Sequence, residues 1–212
     1  MTDDRKSGIA LIAGSLAGII TMALHPTGHD LTPAQFESVA TMLIAVHGLA
    51  LASLPVSFLG AWGMTRRIAT ADRIAVSALV MYAMALVAVM NAAVADGLVA
   101  PAVLHQMIAA PPSSKEMWQL IFNYNFRQNQ GFAQLYVAAS SVAIGLWSIS
   151  IVRSRALSRG LAIYGCVLTV ITLLALFSGH LKLTTHGMGA VIVGQAIWFI
   201  TIGLWLYRNE ES

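Results

Sequence analysis

Six histidines, His25, His29, His47, His105, His180 and His186, are the side chains of this chain best equipped for chemistry. An imidazole nitrogen ligates metal ions and exchanges protons near neutral pH. Carboxylates that would complete such a site are sparse, and the relevant ones are Asp30, Glu37 and Asp96. The set His25, His29, His47, Asp96, His180 and His186 offers the nitrogen and oxygen donors of a zinc site with one position left for water or ligand. Spacing alone does not define it. His25 and His29 are four apart, but Pro26 and Gly28 prevent the regular helix that would put both on one face. In a zinc-dependent membrane hydrolase, Asp96 or Asp30 would serve as the proton-handling carboxylate. A haem or quinone redox site is the competing chemistry, with His47 facing His180 or His186 as the axial pair. Covalent haem attachment is excluded, because the single cysteine, Cys166, provides no CxxCH motif. Cys166 lies within an apolar run, where packing is its expected role.

The elements that must position these residues follow from composition. Of 212 residues, 58% are hydrophobic and only 10% charged, with mean hydropathy +0.75. About a quarter of the residues of a soluble domain are charged, so the expected solvent here is lipid. Apolar runs of about twenty residues, the length that crosses roughly 30 Å of hydrocarbon, predict one all-α domain of six transmembrane helices. Their expected bounds are about 8–24, 33–64, 74–96, 131–152, 160–181 and 187–207. The first run lacks a small-x-small cleavage pattern and reads as a retained helix; Gly14 and Gly18 within it form a GxxxG packing face. Thr32, Pro33 and Gln35 form a helix-start signal for the second, and Pro55 inside it predicts a kink or a polar contact at the Leu51 carbonyl. His47 then falls just inside the membrane, a costly depth that usually means a partner. Asn91 and Asp96 close the third helix.

The connection at 97–130 is too long to be passive. Pro101 is expected to start a short helix carrying His105. Pro111 and Pro112 break it, and Ser113 to Glu116 read as a capping box. Met117, Leu120, Ile121 and Tyr124, with Trp118, Phe122 and Phe126 beside them, then predict an interfacial helix within about 99–126 that covers the outer mouth of the bundle.

Arginines set the orientation. The N-terminus, Arg66, Arg67 and Arg73, then Arg153, Arg155 and Arg159, and finally Arg208 all fall on one side for six crossings. That side is read as cytoplasmic, in what is expected to be a bacterial inner membrane. The net charge of +3 therefore reports orientation, and no nucleic-acid partner is expected. Gly60-Ala-Trp62, Gly145-Leu-Trp147 and Gly203-Leu-Trp205 each close an even-numbered helix, which reads as interface anchoring and as a weak internal duplication. All six histidines share the opposite, non-cytoplasmic face. The expectation is a polar, histidine-rich pocket there that binds a small ligand or a metal ion, zinc or haem among the candidates. Gly187, Gly189, Gly194, Gln195, Ser140 and Ser141 offer a transport path instead, but charged residues are missing from the cytoplasmic halves of the helices, so a pocket open to one face fits better. An accessory subunit partnered with other membrane proteins is the remaining class. The sequence does not name a substrate.

Overall fold

A computed structural model describes residues 3–26, 33–155 and 157–208, the side chains of 33–37 excepted. Its helices are α1 (Asp3–Leu24), α2 (Pro33–Ala69), α3 (Ile74–Val94), α4 (Ala100–Ala109), α5 (Pro112–Ser154), α6 (Arg159–Phe177) and α7 (Thr185–Arg208). A single π-helical turn, Ala95–Val99, joins α3 to α4, and the described residues contain no strand. Six helical segments are long and apolar enough to cross a membrane, with α3, the π turn and α4 counting as one.

Each spanning segment packs on its neighbours in sequence, and α7 closes on α1, so the six form a ring. Small residues set the close contacts, as expected where lipid removes the hydrophobic drive between helices. On α3, Ala75, Ala78, Ala85, Ala88 and Ala92 fall on one buried face at helical spacing, and the first four pack in the core with Ala133, Val137, Ala143 and Ile144 of α5. Gly8 of α1 and Gly203 of α7 approach so closely that a Cβ on either would run into the other's carbonyl oxygen. Gly14 lies directly against Ser57 of α2, so this part of the GxxxG pattern is used inside the bundle. The opposite faces are apolar and uncovered. Ile163, Val167, Val170, Ile171, Leu174 and Phe177 of α6 are all at least half exposed, an outward stripe that lipid satisfies.

Contacts fix which loops share an end. Arg67 pairs with Asp4 at 3.2 Å, Arg5 donates to the Tyr207 hydroxyl at 2.8 Å, and Arg153 pairs with Asp72 at 3.0 Å. The chain's start, the α2–α3 turn, the α5–α6 turn and the end of α7 therefore meet at one basic end, as six crossings require.

Several sequence expectations need correcting. The third spanning segment continues to Ala109, because the helix absorbs Pro101 through the π turn instead of stopping near 96. α6 ends at Phe177, four residues short of the expected 181, where Ser178 and Gly179 turn the chain with Gly179 at φ 77°. Residues 112–126 are not a separate interfacial helix but the first part of α5, whose 43 residues extend about 65 Å, twice the hydrocarbon thickness. Its start is set by Pro112 at the first helical position, after Pro111 in extended geometry, so Ser113 to Glu116 form no capping box and Ser114 donates back to the Pro111 carbonyl. α2 runs through Pro55 without interruption. Trp62 is half exposed, in keeping with anchoring, but Trp147 is fully buried. It stacks on Trp198 and donates to the Thr65 hydroxyl at 3.0 Å.

Candidate metal centre at the mouth of a central cavity

Three elements meet at the end opposite the Arg67 and Arg153 ion pairs, and each delivers one side chain. α1 stops at Leu24 because Pro26 holds the preceding residue out of the helical region, which leaves His25 just beyond the helix end. His47 projects from α2 and is buried, its side chain 8% exposed. Asp96 sits in the π turn. Pro101 has no N–H to give and its ring would press on the carbonyl of Gly97, and widening the helix over Ala95–Val99 accommodates it. The Ala95 carbonyl accepts the backbone N–H of Ala100 and also the side-chain amide of buried Asn125 from α5, at 2.9 Å. Gly97 faces the His47 ring so closely that any side chain there would collide with it.

The geometry that results is specific. Asp96 Oδ2 lies 3.2 Å from His25 Nε2 and 3.3 Å from His47 Nε2, and the two rings meet edge to face at 5.1 Å between centroids. The other nitrogen of each ring is already engaged. His25 Nδ1 is 3.1 Å from the Pro26 carbonyl, and His47 Nδ1 is 2.8 Å from the Leu43 carbonyl. A carbonyl only accepts, so with hydrogen on Nδ1 a neutral ring offers its Nε2 lone pair on the Asp96 side, whereas a protonated ring donates from Nε2 to the carboxylate. Three ligand atoms, all within 4.8 Å of one another, thus converge. A charge-assisted N–H···O bond is about 2.7–2.9 Å long. Ligand atoms at tetrahedral angles and about 2.0–2.1 Å from a zinc ion stand about 3.3–3.4 Å apart. The two Nε2–Oδ2 separations lie at the long end of ordinary hydrogen bonds and also suit two of the three ligand–ligand edges of such a set. In the metal-free protein, the hydrogen bond to Asp96 and its charge, which outweigh burial, raise the His25 pKa above the usual histidine value.

The remaining predicted residues are placed elsewhere. His180 is exposed and bonds the Ser178 hydroxyl at 2.9 Å, and His105 is exposed on α4. His186, also exposed, stands at the start of α7 and lines the same cavity, but falls outside the cluster. Asn91 donates to the Val87 carbonyl of its own helix at 2.8 Å. His29 and Asp30, and the side chain of Glu37, lie outside the described residues. Asn125 and Gly97 were missed as supporting residues; the Asp-Gly pair shortly before a helical proline was the available signal.

The cluster opens on a cavity of about 1050 Å³ enclosed by the ring. Phe122, Phe126, Asn129 and Gln130 of α5 and the 181–186 stretch wall its mouth, where Gln130 reaches the Leu183 carbonyl at 3.4 Å. Its far end is bounded by Tyr82, Tyr136, Gln195 and Phe199. There Tyr136 donates to Gln195 at 3.2 Å and Gln195 to the Ser140 hydroxyl at 2.8 Å, so two of the polar residues singled out in the sequence form one buried network. No protein family, curated protein or solved structure matches this chain.

Proposed function

We propose that this chain is an integral membrane protein that holds a divalent metal ion, zinc by ligand type and spacing, on His25 Nε2, His47 Nε2 and Asp96 Oδ2, and that the ion's open position receives a small ligand from the central cavity. Both termini face the cytoplasm and the metal end faces outward, by the arginine asymmetry. The observation that carries this reading is the convergence of two Nε2 atoms and a carboxylate oxygen, with both Nδ1 atoms tied to carbonyls. That tie is the arrangement that fixes tautomer and ring orientation in histidine ligands.

Elemental analysis of the purified protein tests it. About one zinc per chain is expected in the wild type, lost in His47→Ala and in Asp96→Asn, and kept in His180→Ala and His186→Ala. Iron(II), which two histidines and a carboxylate also suit, would change the ion and keep the site. Wild-type protein that takes up no divalent metal from a loaded buffer would overturn the proposal.

A further inference from the structure

The cavity below the cluster is longer than a metal site requires, and its lining changes character with depth. From Asp96 down to Tyr82 it follows the third spanning segment for about 20 Å. Charged and titratable lining groups are concentrated at the mouth, where Lys182 and His186 accompany the cluster. Below them the wall is built mainly from Met22, Leu54, Leu86, Val89 and Ile192, drawn from four helices, and two of the hydroxyls among them are engaged, Thr21 with the Val46 carbonyl and Ser53 with the Ala50 carbonyl. The tyrosines at the far end are engaged, Tyr136 with Gln195 and Tyr82 with the Ser57 side chain. Among the described residues, no charged residue lines this far end.

A compact polar solute would find few free partners along such a wall and would lose water there. A slender apolar chain fits the wall, and an anionic oxygen head fits the mouth, where it meets the ion's open position and the Lys182 ammonium. Resting on the metal reading above, we infer that the ligand is a single-chain lipid carboxylate, its head on the metal and its tail in the cavity. Transfer of the tail from bilayer to cavity exchanges one apolar surrounding for another, so the head supplies selectivity and the cavity depth supplies length preference.

Binding of oleate to the zinc-loaded, full-length protein in nanodiscs tests this, with octanoate and oleyl alcohol as comparisons. One oleate per chain is expected, bound at least about tenfold more tightly than either comparison ligand. Ala133 and Ala196 line the cavity and are buried, and Ala133→Trp or Ala196→Trp should weaken oleate binding by about tenfold or more with zinc content unchanged. Lys182→Gln should weaken oleate and leave oleyl alcohol unaffected. Zinc present, with oleate bound no better than octanoate by the wild type, would overturn the inference and leave the metal site standing. This comparison needs no variant to fold. Failure of the wild type to hold metal removes both.

Discussion

His47 carries the largest commitment of the three candidate ligands, because it is the most buried and its second nitrogen is fixed by the Leu43 carbonyl. His47→Ala should abolish stoichiometric metal, whereas Asn91→Ala, which cuts only a bond to its own helix, should leave metal unchanged and cost about 0.6 kcal/mol or less of stability. The two are separable by elemental analysis and thermal unfolding of the same preparations. Acidity gives a second test at this scale. The Asp96 contact raises the His25 pKa, so the stability from that pair is fully present below the unfolded value of about 6.5 and is lost as pH rises through the folded value. Chelator-treated protein should therefore melt at a lower temperature near pH 8.5 than near pH 6. Metal-loaded protein should show the reverse, since protons compete for both Nε2 atoms. Two melts at each pH decide it, and identical slopes with and without chelator would contradict the assignment. Of the cluster, His47 and Asp96 stood out in the sequence, with Asn91, as polar groups at a depth where hydrocarbon makes them expensive, and His25 only as a residue of the loop on the same face. His180 and His186 share their face but not their site, because topology fixes the end a residue occupies and only packing fixes its distance.

The π turn of Ala95–Val99 is the element that makes the cluster possible. It aims Asp96 at two helices at once and places a residue without a side chain against His47. Gly97→Ala is expected to displace the His47 ring, lowering metal affinity about 10–100-fold, as loss of a supporting contact does, and destabilising the fold by about 1–3 kcal/mol through overpacking. Asn125→Ala should cost about 1 kcal/mol, because the Ala95 carbonyl keeps its backbone partner and loses only the side-chain one. Both are readable in thermal melts with metal titration. Element existence was legible from apolar run lengths, and the first and last helices lie close to their expected bounds. The junction at 95–112 was not. A proline there reads locally as a stop, yet the helix widens by one residue and goes on. Likewise, the aromatic pattern at 117–126 reads equally well as a surface helix or as the outer part of a long one, and only its contacts with α4 and the third spanning segment distinguish them. Trp147 shows the same limit: tryptophan near a helix end signals the interface, unless neighbours such as Tyr82, Trp198 and Phe199 enclose it.

At the scale of the whole molecule, the ring puts the ion pairs of Arg67 and Arg153 at one end and the cluster at the other, so sidedness is testable by reporter fusions. Fusions after Asn209 and within 111–114 should report opposite compartments, the first cytoplasmic; the same compartment for both would exclude six crossings. The ring also has an order in time. The three clustered groups lie between residues 25 and 96, on or beside the first three spanning segments, whereas the helix that completes the enclosure is the sixth. At about 5–20 residues per second of synthesis, roughly 5 to 20 seconds separate the emergence of Asp96 from that of α7. During that interval the ring is incomplete, because α5, α6 and α7 are still being added. Metal available during insertion would be captured by the nascent chain and then shut in when Gly203 docks on Gly8. Metal offered only to the finished protein must pass the α5 aromatic side chains and the 181–186 stretch, so loading should be faster during biogenesis than after it.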